Sequence, residues 1–125
     1  MRKRWQEMLK YDSTTCWEVF PGFYEVNRTR SYCHSWSSSP AYFLSRYVTG
    51  IIKHDAGMSN IEIGVPETDL EWCETTVPTP HGALNIRWTK SQSEHEKNQL
   101  VIEYPQAITV KVMPSDLWLS DLRPY

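Results

Sequence analysis

The second half of the chain alternates apolar with mostly polar residues at a period of two. The apolar positions fall in four short runs: Ile61, Ile63 and Val65; Leu84, Ile86 and Trp88; Leu100, Ile102 and Tyr104; Ile108, Val110 and Val112. Such alternation is typical of antiparallel strands with one buried face. The runs therefore predict a small antiparallel β-sandwich, with Trp72 and Trp88 on strands and in its core.

Polar stretches between the runs predict where the chain reverses. The sequence TPHG, from Thr79 to Gly82, indicates a turn between two strands. The sequence KSQSEHEKN, from Lys90 to Asn98, indicates a polar hairpin loop. His81, within the first of these, is read as a turn residue without a chemical role.

The first fifty residues carry a helical period instead. Trp5, Met8 and Leu9 are spaced i, i+3, i+4 and predict one apolar stripe on a short helix. No capping residue precedes this helix, as expected of a chain truncated within a helix. Residues Ser13–Ser35 follow, with a Pro21–Gly22 break, and are read as a loop crossing.

A second helix is predicted within the sequence SWSSSPAYFLSRYVTG. Ser39 is expected to be its N-cap, with Pro40 in the first turn and Gly50 at the C-terminal stop. Its apolar stripe is predicted to comprise Ala41, Leu44, Tyr47 and Val48. Two helices cannot bury all their apolar faces alone, so they either pack on the sandwich or belong to a larger helical domain.

These patterns predict an α+β chain in two parts, with helices over residues 1–52 and a β-sandwich over residues 53–125. A length of 125 residues suits one domain or pieces of two. A formal charge of −2 gives no electrostatic reason to expect nucleic acid as a partner. No stretch approaches the roughly 18 apolar residues of a membrane span, and no signal-peptide apolar region follows the basic start. The chain is therefore expected to be soluble and cytoplasmic.

The three cysteines are expected to be free thiols. Their number is odd and their spacing fits no disulfide framework. Cys33 adjoins His34, but chain neighbours usually point apart, so a catalytic thiol is disfavoured. Zinc binding by Cys16, Cys33 and His34 is equally disfavoured because no C-x-x-C pair accompanies them. The sequence predicts no metal and no cofactor.

Three stretches carry a resemblance to a known family: STTCWEVFPGF from Ser13, SYCHSWSSSPAYFLSRYVTGI from Ser31, and DLEWCETTVPTPHGALNIRW from Asp69. Together they resemble the C-terminal part of bacterial α-L-rhamnosidases, which are inverting glycoside hydrolases with an (α/α)6-barrel catalytic domain. The resemblance implies that the helices are the last helices of such a barrel. It also implies that the strands form the β-sandwich that follows the barrel.

The resemblance implies roles for four residues. Glu18 is implied to be the general base that activates the attacking water, and His34 to bind the sugar or orient that water. Trp17 and Trp36 offer flat apolar faces that suit a deoxy sugar. Each also has an ordinary interpretation: Glu18 as a solvated loop acid, His34 as a structural histidine, and the two tryptophans as core residues.

One departure from the family limits the expected activity. The general acid belongs to an Asp-x-x-Gly-Glu-Arg motif upstream in the barrel, and this motif does not occur here. The chain is therefore expected to be a partial α-L-rhamnosidase that is inactive alone. Its expected partners are rhamnose-containing carbohydrate and the remainder of a catalytic barrel. The alternatives are a non-catalytic carbohydrate-binding or interaction module, and a gene remnant.

Overall fold

The computed structural model describes residues 2–19, 31–66 and 68–125. Two compact units divide the chain, Met1–Phe43 and Leu44–Tyr125. The Pro21–Gly22 break lies outside the described residues. Among the described residues, no helix is long and apolar enough to cross a membrane.

The first unit opens with helix α1, Arg2–Leu9. Met8 is buried, and Trp5, which is half-buried, donates its indole N–H to the Ser37 carbonyl at 2.9 Å. The three residues of the predicted stripe all lie on this helix, but Leu9 is 68% exposed. The helix ends at Leu9 in a turn closed by Asp12, whose φ of 53° is left-handed, and this turn leaves the last apolar residue in solvent.

The second helical stretch is built from three short pieces. A 3₁₀ turn over Ser35–Ser38 leads into α2, Ser39–Phe43, and then into a π-helical turn over Leu44–Val48. The predicted N-cap at Ser39 is wrong, because its backbone is already helical (φ −47°, ψ −25°). The 3₁₀ turn extends the helical conformation toward His34, which is extended (φ −120°, ψ 112°) and makes no side-chain cap.

The apolar stripe predicted for this helix is mostly exposed. Ala41, Leu44 and Tyr47 face solvent, whereas Val48 packs against the buried cluster of the second unit. The predicted stop at Gly50 is supported by its φ of +84°. A Cβ there would also lie 2.6 Å from the Gly64 carbonyl oxygen, so glycine is required for space as well as for conformation.

Seven strands make up the second unit. They are β1 (Ile51–His54), β2 (Asn60–Ile63), β3 (Trp72–Thr79), β4 (Gly82–Thr89), β5 (Asn98–Tyr104), β6 (Thr109–Val112) and β7 (Trp118–Pro124). They form a three-stranded sheet in the order β1-β2-β6 and a four-stranded sheet in the order β3-β4-β5-β7. This arrangement is compatible with the predicted small β-sandwich.

The sheets are mixed, so the prediction of a purely antiparallel sandwich is wrong. The β2–β6 and β5–β7 pairs are parallel, while the remaining pairs are antiparallel. The chain leaves the four-stranded sheet after β5, adds β6 to the other sheet, and returns as β7. A strand that rejoins its sheet after such a crossover can run parallel to its neighbour, which a tight hairpin does not permit.

The apolar positions of the alternating runs meet in one cluster. Its buried members are Ile51, Ile61, Ile63, Leu84, Ile86, Trp88, Leu100, Ile102, Ile108 and Trp118. Trp88 meets Trp118 edge-on at 5.9 Å between ring centroids and donates its indole N–H to the Val48 carbonyl at 2.7 Å. Trp72 is 65% exposed, so its predicted place in the core is wrong. The partner of Trp88 on β3 is Cys73, and Trp72 is therefore turned to the outer face.

Both predicted reversals are confirmed. Strands β3 and β4 are joined at Thr79 and Gly82, with Gly82 at a φ of +127°. The polar loop from residue 90 to residue 97 joins β4 to β5, and the Asn98 carboxamide oxygen accepts the Ser91 backbone N–H at 2.8 Å. These turns contain the residues for which the sequence indicated loops.

We expect Gly50→Ala to destabilise the protein more than Gly57→Ala does. Both glycines have a positive φ, which costs an alanine about 1–2 kcal/mol in either position. Only Gly50 faces a backbone atom within 3 Å, because nothing lies within 4 Å of a Cβ at Gly57. Urea unfolding of the two variants measures the difference, and equal losses would contradict the close approach to Gly64.

We expect Asp55 to make the β1–β2 hairpin sensitive to acid. Its carboxylate accepts the Asn60 backbone N–H at 3.0 Å and the Asn60 side-chain N–H at 2.7 Å, and these bonds lower the pKa of Asp55. A lowered folded-state pKa means that the carboxylate stabilises the fold above the ordinary pKa of about 3.8. This contribution is lost as the pH falls through the lower value.

The corresponding measurement is the free energy of unfolding between about pH 5 and pH 2. Asp55→Asn should lower stability at pH 5 and flatten its dependence on pH. Asp116→Asn is the matched control, since Asp116 is exposed and makes no hydrogen bond or ion pair within the described residues. An unchanged pH dependence in Asp55→Asn would contradict the assignment.

Candidate functional site

Two segments that carry the sequence motifs lie side by side in the first unit. The Glu18 backbone N–H donates to the Ser31 carbonyl at 3.0 Å, and the His34 N–H donates to the Cys16 carbonyl at 2.8 Å. The two bonds define an antiparallel pairing of the two segments. In this pairing Trp17 on one segment lies opposite two residues of the other, as in a wide β-bulge. The pairing places Glu18 opposite Ser31 at one end and His34 opposite Cys16 at the other, so both motif residues belong to one short paired region.

Hydroxyl groups of the motifs reinforce this pairing. The Thr15 hydroxyl donates to the Tyr32 carbonyl. The Ser31 hydroxyl donates to the Cys33 carbonyl at 3.0 Å and accepts the Cys33 backbone N–H at 3.3 Å. Short side chains that bond to nearby backbone groups in this way hold irregular segments in a defined conformation. The threonine and serine positions of the motifs therefore have a structural explanation.

Trp17 belongs to an aromatic cluster. Its ring meets Tyr32 edge-on at 5.3 Å and Tyr11 at 6.0 Å with a tilt of 46°. Such geometries are the favoured ones for aromatic pairs and fix the ring in place. The indole is half-buried, so part of it remains available to a ligand.

Trp36 has a different environment. It lies on the 3₁₀ turn, is 86% exposed, and makes no ring contact with any residue that the structure describes. Its interpretation as a core residue is excluded within the described part of the chain. An aromatic face this exposed is available for contact with a sugar or with another protein surface.

The side chains of Glu18 and His34 are half-buried and unengaged. Within the described residues, the Glu18 carboxylate and the His34 imidazole make no hydrogen bond or ion pair. The segment pairing holds the backbone of each, and no described residue bonds to either functional group. This arrangement can present a carboxylate and an imidazole to a ligand, and the roles of both residues remain predictions.

In the described part of the first unit, no carboxylate other than that of Glu18 lies on the paired segments, so none is placed there to act as the general acid. Glu7 is bound to Lys10 at 2.7 Å on α1, and Asp12 is an exposed turn residue. Neither lies on the paired segments. Inverting hydrolysis of a glycoside needs two carboxyl groups about 6.5–9.5 Å apart, with room for a water molecule between base and sugar.

The cysteines are free thiols, as predicted. Cys33 is exposed, while Cys16 and Cys73 are half-buried. Burial raises the pKa of the Cys73 thiol, which keeps it protonated and unreactive at neutral pH. Among the described residues, no group of three or more metal-binding side chains is assembled.

The outer face of the four-stranded sheet carries a cavity that the sequence analysis missed. Its volume is about 180 Å³ and its polar lining comprises Glu74, Thr75, Thr76, Asn85, Arg87 and Glu103. Apart from Thr75, which shares the inner face with Cys73, these residues lie at the exposed or half-buried positions of strands β3, β4 and β5. The strand register brings them together.

Comparisons with known proteins gave one informative result. No protein-family model and no curated protein matches the chain. A solved structure, the GH78 family rhamnosidase of Bacillus sp. GL1, matches it with 36% sequence identity and a TM-score of 0.78. The match covers 98% of this chain and 13% of that chain. The resemblance predicted from the motifs is therefore confirmed, and this chain is related to part of a GH78 family rhamnosidase.

Proposed function

We propose that the chain is the C-terminal part of an inverting α-L-rhamnosidase and that Glu18 is its general base. The observation that supports the proposal is the pairing of segments 16–18 and 31–34, in which no described residue bonds to the side chain of Glu18 or His34. The relationship to a GH78 family rhamnosidase supports a glycoside hydrolase origin. Cytoplasmic localisation remains a prediction.

The chemistry assigned to Glu18 is proton removal from water. The water oxygen attacks the anomeric carbon from the face opposite the leaving oxygen, and its proton passes to the Glu18 carboxylate. The bond from the anomeric carbon to the leaving oxygen breaks, and that oxygen takes a proton from a separate carboxylic acid. The family's motif for this acid does not occur in the sequence. His34 is assigned to the sugar or the water, and Trp17 and Trp36 to the apolar side of the sugar.

We propose that the remainder of a catalytic barrel covers the exposed apolar side chains of the first unit. Within the described residues these are Leu9, Tyr11, Tyr32, Trp36 and Tyr42. Several large exposed apolar groups in one small unit favour an interaction surface. Covering this surface would also enclose the sugar between Glu18 and the acid.

The chain alone is expected to release no product from an aryl α-L-rhamnoside above the rate of a Glu18→Gln variant. The reason is that the base has no acid partner and few substrate-binding walls. The measurement is release of the aryl alcohol at high protein concentration. Turnover that Glu18→Gln abolishes would contradict the proposed inactivity.

The role of Glu18 can be tested in a chimera, in which this chain replaces the matching segment of the Bacillus sp. GL1 enzyme. Glu18→Gln should lower kcat for an aryl α-L-rhamnoside by about 10²–10⁴-fold, the usual contribution of general acid–base catalysis. Glu94→Gln, an exposed change in the β4–β5 loop, is the matched control and should leave kcat unchanged.

A second readout separates loss of the base from structural damage. Azide attacks without giving up a proton, so it should restore turnover in Glu18→Gln and yield a rhamnosyl azide of inverted configuration. Structural damage would not be rescued. A full kcat in Glu18→Gln, in an active chimera, would refute the assignment.

A further inference from the structure

The outer face of the four-stranded sheet is an ordered grid of side chains. The register places Trp72 beside Thr89, Glu74 beside Arg87, and Thr76 beside Asn85 on the β3–β4 pair. Strands β5 and β7 extend the same rows, with Val101 and Asp121 beside Arg87, and Glu103 and Arg123 beside Asn85. Residues directly opposite each other on paired strands share a face, so these side chains form one surface.

Hydrogen-bonding groups converge on the cavity at the centre of this grid. The Thr76 hydroxyl donates to the Asn85 carboxamide oxygen at 2.9 Å, which leaves the Asn85 N–H groups as donors. Thr76, Asn85, Glu74, Arg87 and Glu103 all line the cavity of about 180 Å³. This volume is below the roughly 300–1,000 Å³ of pockets for drug-sized molecules. It suits a ligand of one small polar ring.

The charges of the grid are largely neutralised by one another. Arg87 contacts Glu74 at 3.2 Å, and Arg123 contacts Asp121 at 2.6 Å and Glu103 at 3.6 Å. Neither arginine is left unpaired, so the surface offers little attraction to phosphate or nucleic acid. Paired carboxylate and guanidinium groups still present oxygen acceptors and N–H donors, which suit a neutral ligand rich in hydroxyl groups.

Trp72 stands at one end of this surface, next to the cavity but outside its lining. It is 65% exposed and shares the outer face with Glu74, two residues along β3 and therefore about 7 Å away. The next two outer-face positions along β3, Glu74 and Thr76, are polar, so a tryptophan at position 72 departs from the pattern. A flat aromatic face beside a row of hydrogen-bonding groups is suited to the ring of a sugar.

We infer that the outer face of the β3-β4-β5-β7 sheet binds a neutral carbohydrate. Trp72 supports the apolar face of the sugar ring, while Asn85, Thr76 and the Glu74–Arg87 pair bond its hydroxyl groups. This site lies in the unit Leu44–Tyr125 and does not involve the Glu18 segment. Only the choice of a rhamnoside as the first probe rests on the proposed function.

The experiment is a titration of the ¹⁵N-labelled full chain with methyl α-L-rhamnoside and with methyl α-D-glucoside. Concentrations up to roughly 50 mM detect millimolar affinity. At least one sugar should give saturable NMR shifts at the amides of Thr76, Asn85, Arg87 and Val101. Inorganic phosphate, the anionic probe, should give no saturable shift there.

Variants then locate the binding. Trp72→Ala should weaken binding by about fivefold or more, as expected from loss of an aromatic contact, and Asn85→Ala should weaken it about threefold to tenfold. Leu117→Ala is the control, since it removes an exposed apolar side chain of the second unit that does not line the cavity, and it should leave binding unchanged. The sheet site is read from amide shifts of the chain and the base assignment from kcat of the chimera, so each can fail without the other.

Four results would overturn the inference. They are no saturable shift with either sugar, shifts that are retained in full in both Trp72→Ala and Asn85→Ala, equal binding of phosphate, and shifts that track self-association in sedimentation. Because Trp72 is exposed, folding of Trp72→Ala is expected and is checked by the unchanged amide spectrum elsewhere. Asn85→Ala provides an independent test of the same surface.

Discussion

The second unit depends on the packing of the Trp88 indole. It is almost wholly buried, lies on the central strand β4, and meets Trp118 of β7 edge-on. Burying a tryptophan contributes on the order of 4–6 kcal/mol from its apolar area. Its N–H group also donates to the Val48 carbonyl at the end of the preceding π-helical turn. One side chain therefore fixes both the packing of the core and the position at which the chain enters β1.

The entry of the chain into β1 depends on a second constraint next to that bond. Gly50 and Gly64 approach so closely that the Gly64 N–H donates to the Gly50 carbonyl at 2.8 Å. A side chain at Gly50 would occupy the position of the Gly64 carbonyl. The Arg46 guanidinium donates to the Ile52 carbonyl at 2.9 Å, which ties the π-helical turn to the same strand. The residues that end the helix therefore also start the sheet.

The candidate site in the first unit is organised by backbone rather than by side chains. Hydrogen bonds and hydroxyl groups pair the two motif segments, and the aromatic cluster around Trp17 covers one part of them. Within the described residues, the Glu18 carboxylate makes no ion pair. In the second unit the opposite applies, because the charged groups of the outer sheet face bind one another and leave a surface suited to neutral ligands.

Sequence pattern was sufficient for the strands β2, β4, β5 and β6, the turns at Thr79–Gly82 and in the 90–97 loop, the helix stop at Gly50 and the resemblance to rhamnosidases. These features depend on neighbours in sequence, since period, turn chemistry and motif order are local. The pattern did not reveal β1 and β7, whose residues Ile51 and Trp118 complete the buried cluster. Only the tertiary structure decided that β6 and β7 pair in parallel, that Trp72 faces outward while Trp88 is buried, and that Leu9 is exposed. It also decided that segments 16–18 and 31–34 are paired and that Glu74, Asn85 and Glu103 line one cavity. Each of these depends on strand register or on the path of the chain between elements, and alternation alone does not say which strands become neighbours.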